Sequence, residues 1–115
     1  MLVAIAGPYS APTPEQRMAN LEAMNLAAVG VARRGHIPVI GVNAALAVVE
    51  ALDPADVYAA MMAISLALVD RCDAILLIGE SAGANREQDL VAAKNLPVYR
   101  KLEDVPDAGL PDWAA

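Results

Sequence analysis

Two short segments carry side chains in patterns that can do chemistry: Ser81-Ala82-Gly83-Ala84-Asn85-Arg86-Glu87 and Gly7-Pro8-Tyr9-Ser10. In the first, Ser81, Gly83 and the free N–H groups of a helix start can hold a phosphate or a carboxylate. Arg86 can add positive charge, and Glu87 is placed in the first helical turn. In the second, Gly7 would let backbone approach a ligand, while Tyr9 and Ser10 offer hydroxyls. Both segments also have bland readings. Glutamate is favoured in first turns because it offsets the helix dipole, and Ser, Gly and Asn are ordinary turn residues.

The other reactive side chains point elsewhere. His36 follows Gly35 in a helix-to-strand turn and reads as structural. One histidine and one cysteine do not make a metal site, so no metal is expected. Cys72 reads as buried and inert, and Asp73 as a turn residue. Met61-Met62 suits a core or a subunit interface. Neither a P-loop nor a GxGxxG fingerprint is present.

The elements that must position these segments follow from hydrophobic patterning. Leu2 to Ala6 is a continuous apolar run cut by Gly7-Pro8, the pattern of a strand buried on both faces. Thr13-Pro14-Glu15-Gln16 starts a helix, with Thr13 as cap and Pro14 at the first helical position, and the helix ends near Arg33-Arg34-Gly35. Ile37 to Ile40 is a short strand. Pro38 cannot donate to a ladder, so this strand belongs at a sheet edge. Asn43 to Leu52 reads as a helix. A further helix runs from Asp53, as cap to Pro54, to about Arg71; it is apolar almost all round and should be buried on more than one side. Ala74 to Ile78 is a strand, Gly79 to Ala84 a loop, and a helix follows to about Lys94. Pro97 to Tyr99 is a last short strand. The tail from Glu103 reads as irregular, packing by Leu110 and Trp113.

Strands alternating with helices predict an α/β domain with a parallel sheet of four or five strands, right-handed crossovers and helices on both faces. With the second strand at an edge, the order is 2-1-3-4, as in flavodoxin-like sheets. The switch point then lies between strands one and three, and ligands bind there beyond the carboxyl ends of the strands. The two singled-out segments follow those two strands.

Composition narrows the class. The chain has 115 residues, enough for a single domain. With no Phe and one Trp, the core must be aliphatic. A net charge of −6 argues against a nucleic-acid partner. The longest largely apolar run, Val57 to Val69, is shorter than the roughly 20 residues a membrane-spanning helix needs. No targeting signal is visible, and a lone cysteine suits a reducing compartment. A cytoplasmic protein without membrane contact is expected. The all-round apolar helix predicts a homodimer.

Taken together, Gly7-Pro8-Tyr9-Ser10, Arg17 and Asn20, Gly35-His36-Ile37-Pro38, Cys72-Asp73-Ala74-Ile75-Leu76-Leu77, Ser81-x-Gly83-x-x-x-Glu87 and Pro97-Val98-Tyr99 resemble the nucleoside 2-deoxyribosyltransferase-like superfamily, in particular the small DUF4406 branch. The resemblance spans about residues 1 to 100, and the Ser-x-Gly-x-x-x-Glu element is its most specific part. It implies an N-glycosidase or deoxyribosyltransferase-like enzyme acting on a nucleoside or nucleoside 5′-monophosphate, with a catalytically inactive nucleotide-binding module as the alternative. Glu87 would be the nucleophile at the anomeric carbon, kept ionised by the helix N-terminus. Ser81, Gly83 and Arg86 would hold a 5′-phosphate, and Tyr9 would position Glu87 or the substrate. No cofactor is implied, and homodimers or higher homo-oligomers are the rule. Eight residues before Asp73, where active relatives carry an Asp near the departing base, this chain has Ser65, with Asp56 and Asp70 as alternative acids.

Overall fold

A computed structural model describes residues 1–111 and Trp113. Its element order is β1 (Leu2–Ala6), α1 (Pro14–Arg33), β2 (Ile37–Val39), α2 (Gly41–Val49), α3 (Val57–Val69), β3 (Ala74–Leu77), α4 (Ala82–Ala92) and β4 (Val98–Tyr99), with 3-10 turns at Pro54–Asp56 and Leu102–Asp104. The four strands form one all-parallel sheet in the order β2-β1-β3-β4. This is the doubly wound order expected, with β1 and β3 central and β2 at an edge. Ile37 N–H donates to Met1 O across the β2–β1 pair.

The two-residue period of the strands sorts their side chains into two layers. On one face, Ala4 and Ala6 of β1 and Ile75 and Leu77 of β3 meet Val69 of α3 and Ala84 and Val91 of α4. On the other, Val3, Ile5, Ala74 and Leu76 meet Met24 and Val31 of α1 and Val105. Aliphatic side chains and methionine fill both layers. The first helix begins as its sequence dictates: Thr13 Oγ1 accepts from Gln16 N–H at 3.2 Å, with Pro14 opening the helix.

Several boundaries differ from the sequence reading. Helix α2 starts at Gly41, directly after β2, because Gly41 lets the chain turn against α3 without a side chain between them. It stops at Val49 and unwinds through a tightened turn before Asp53, which is extended (φ −63°, ψ 142°) as the residue before a proline must be. Asp53 makes no side-chain cap bond; Pro54–Asp56 is a 3-10 turn, and α3 itself runs only from Val57 to Val69. As expected, α3 packs on two sides, between α2 and α4, and leaves the small stripe Ala59, Ala63, Ala67 at the surface.

The tail is held differently from the expectation. Leu110 and Trp113 are exposed (75 % and 69 %), whereas Val105 is 1 % exposed and anchors the segment in the α1-side layer. Three polar bonds add to it: Arg34 Nη1 to Val105 O, Ala108 N to Arg34 O, and the buried His36 ring through Nε2 to Pro106 O at 2.6 Å. Because Nε2 donates there, Nδ1 accepts from the Met1 amino group, and His36 is the structural residue its position suggested. The rest of the tail, Asp112, Ala114 and Ala115, lies outside the described residues.

Candidate functional site

The β1–α1 loop and the β3–α4 loop emerge side by side from the two central strands, as the switch-point argument requires. They interlock through glycine. A Cβ on Gly7 would stand 2.7 Å from Ile78 Cγ1, and one on Gly79 2.9 Å from Pro8 Cδ. Gly7 therefore faces Ile78, and not the cavity; its role is the close approach of two loops rather than of a ligand. Beyond them, α1 holds the first loop in place: Arg17 Nη1 donates to Ala11 O at 2.8 Å and Asn20 Nδ2 to Tyr9 O at 3.0 Å. Arg17 and Asn20 are three apart and so share a helix face.

Between the loops lies a cavity of about 130 Å³, walled by Tyr9 and Ser10, by Val42 of α2, by Met61 and Met62 of α3, and by Ser81 to Ala84 and Glu87. Five of the residues singled out in the sequence thus converge: Tyr9, Ser10, Ser81, Gly83 and Glu87. Arg86 does not. It is exposed on the outer side of α4, because one residue along a helix turns the side chain about 100° away from Glu87. A larger cavity of about 450 Å³ shares Tyr9, Ser10 and Met61 with the first and extends over Arg17, Glu50 and Tyr58.

Helix α4 begins at Ala82, three residues earlier than a loop running to Ala84 would allow. Ser81 is the N-cap, and its Oγ accepts from Ala84 N–H at 3.0 Å. Ser81 also lines the cavity. Ser81→Ala should cost about 1 kcal/mol of unfolding free energy, measured by urea denaturation; no loss would mean that the cap bond is not made in solution.

With Ser81 as cap, Glu87 falls in the second turn of the helix rather than the first. The dipole explanation for a glutamate at this place therefore lapses, and so does the expectation that the helix end keeps it ionised. Glu87 is 5 % exposed. Burial pushes its carboxyl above the usual carboxylate range, opposed by a hydrogen bond from Ser65. That bond, Ser65 Oγ to Glu87 Oε1, is 2.5 Å long between two buried side chains, the length of a charge-assisted O–H···O⁻ contact.

Asp56 and Asp70 stand away from the cavity. Asp56 is exposed, and Asp70 forms an exposed ion pair with Lys94 that holds its carboxyl below the usual range. Cys72 is buried, its Sγ directed at Leu68 O, and burial pushes its thiol up; this is the inert cysteine expected. Among the described residues, no cluster of three or more His, Cys, Asp or Glu side chains could hold a metal ion, and no helix is long and apolar enough to cross a membrane.

Tyr58 was not singled out in the sequence, whereas Arg17, Asn20 and Ser65 entered it only through the resemblance, without the contacts they make here. Ser65 carried a readable signal, because a hydroxyl buried in the middle of an apolar helix requires a polar partner. The chain matches no protein-family model and no curated protein.

Proposed function

We propose that this protein is an N-glycosidase or deoxyribosyltransferase-like enzyme acting on a nucleoside or nucleoside 5′-monophosphate, with Glu87 as nucleophile. One observation carries the reading. A buried glutamate, not required by helix capping, lines a small, mostly apolar cavity with a few hydroxyl groups at the switch point of a doubly wound sheet. Such a carboxylate is well placed to stabilise an oxocarbenium-like transition state and to bond to the anomeric carbon.

In the reaction proposed, a Glu87 oxygen forms a bond to the anomeric carbon as the bond to the base nitrogen breaks. The base leaves with the electron pair and takes a proton from water. Attack by water on the glycosyl-enzyme releases the sugar and regenerates the carboxylate; attack by a second base would make the reaction a transfer. Tyr9 lines the same cavity and would position Glu87 or the sugar. Ser10, the Ser81 hydroxyl and the α4 N-terminus at Gly83 would hold sugar hydroxyls or a 5′-phosphate. The adjoining larger cavity, edged by Arg17, Glu50 and Tyr58, gives room for a base.

A second reading has its own support. Burial holds Glu87 towards its neutral form, which weakens a nucleophile, and a protein that binds a nucleoside or nucleotide without chemistry would tolerate that. A homodimer fits either reading. The surface stripe of α3 and the exposed Met18, Leu26 and Val29 of α1 are apolar faces suited to a second copy, and sedimentation equilibrium would give its mass. A cytoplasmic setting agrees with the free Cys72 thiol.

The test is product analysis by chromatography after incubation with ribo- and deoxynucleosides and their 5′-monophosphates. Free base is the expected product, and the preferred substrate decides the phosphate question. Thermal-shift binding without any base release would transfer the assignment to the binding module.

A further inference from the structure

Ser65 lies on α3 with no part of it in contact with solvent, and it is not on the cavity wall. It cannot touch a ligand. Its hydroxyl points at Glu87 across the α3–α4 packing, and at 2.5 Å it is the side chain's hydrogen-bond donor. The bond engages Oε1. Among the described residues, no buried side-chain oxygen lacks a partner, so Oε2, which makes no such bond, is the oxygen open to the cavity. The carboxylate is therefore held by one oxygen and presented by the other.

A second, independent feature serves the same contact. Helix α2 begins against α3 with Gly41 directly over Ser65. A Cβ at position 41 would fall 2.0 Å from Ser65 Oγ and 2.8 Å from Ser65 Cα. The absence of a side chain at position 41 leaves the hydroxyl the space in which it faces Glu87. Three elements, α2, α3 and α4, are thus registered on one hydrogen bond.

We propose that Ser65 is a positioning residue that fixes the Glu87 carboxylate with Oε2 toward the cavity and stabilises its ionised form. Its catalytic consequence rests on the glycosidase reading, whereas the positioning itself does not. A donor to a charged acceptor favours the charged state, and burial opposes it. The remaining surroundings of Glu87 leave Ser65 as the main opposing influence. Helices α2 and α3 and strand β1 bring no charged side chain. Tyr9 comes from the β1–α1 loop, Tyr58 of α3 has its hydroxyl near Gly83, and Cys72 is close enough for the Glu87 charge to help raise its thiol. On α4 itself, Arg86 and Asp89 are exposed.

The experiment is a pH titration of the Glu87 side-chain carboxyl by ¹³C NMR in protein labelled at glutamate, with the signal assigned by its loss in Glu87→Gln. Wild type should titrate above the range of the exposed glutamates. In Ser65→Ala the midpoint should rise further by about one pH unit, which is about tenfold less ionised carboxylate at a given pH below it. Ser65→Cys fills the space with a weak donor and should follow Ser65→Ala. If base release is observed, its acidic limb should move by the same amount. An unchanged midpoint in Ser65→Ala would overturn the proposal, as would a Cys variant that titrates like wild type, since space-filling alone would then suffice. A shifted midpoint in a protein that releases no base would uphold the positioning and remove the glycosidase reading, so the two failures are distinct.

Discussion

Glu87→Gln is expected to lower base release by at least about 10³-fold, because it removes the nucleophile and leaves its neighbours in place. The amide is close in shape and keeps an oxygen able to accept from Ser65, so nucleoside binding by thermal shift should change little. The same variant has an opposite effect on stability. Burial raises the Glu87 carboxyl in the folded protein above its value in the unfolded chain, so Glu87 favours folding in acid and that contribution is lost as pH rises through the raised value. The neutral amide escapes this loss. At neutral pH, Glu87→Gln should therefore be more stable than wild type, and the difference should shrink towards the pH at which an unfolded glutamate protonates. Thermal melts of both proteins across this range check the sign. A variant that is less stable at neutral pH would mean that hydrogen bonding outweighs burial at this side chain.

The second large effect is expected from Gly41→Ala. The added methyl would fall within 2.8 Å of the Ser65 backbone as well as on its hydroxyl, and backbone in a packed helix cannot swing aside. Overpacking of this kind costs about 1–3 kcal/mol. Alanine recovers up to about 1 kcal/mol of helix propensity in a helix interior, and less at the first helical residue, so the penalty prevails. A melting temperature lower by roughly 10 °C is the expected outcome, with base release reduced as Ser65 is displaced from Glu87. A variant that melts with wild type would show that α2 and α3 stand further apart than described.

What the sequence revealed and what it hid divide along physical lines. Local chemistry was legible: Thr13-Pro14 as a helix start, Pro38 as an edge signal, and the unbroken apolar runs of β1 and β3. From these alone the sheet order and the meeting of two loops at its switch point follow. The start of α2 was less legible, because Gly41 there packs on Ser65 of α3, a contact that spacing does not encode. Within the site, Tyr9, Ser10, Ser81, Gly83 and Glu87 converge as their motifs suggested. Gly7 and Arg86 diverge for simple reasons: one is filled against by Ile78, and the other is rotated to the far side of its helix. Ser65 was noticed as a residue type without its partner, since a hydrogen bond between α3 and α4 is a tertiary fact. In the tail, Val105 was passed over for the larger Leu110 and Trp113, yet burial depended on reach to the sheet rather than on side-chain size.

The edge strand carries a consequence for solubility. Ile37 directs its N–H inward to Met1 O, so the alternation of the strand turns the nitrogen of Pro38 outward, to the unpaired side. An incoming strand would find a missing donor in the middle of a three-residue template. The opposite edge, β4, offers only two residues. Both borders of the sheet are thus short, and one lacks a donor, which disfavours ladder growth into a neighbouring molecule in a chain this rich in aliphatic residues.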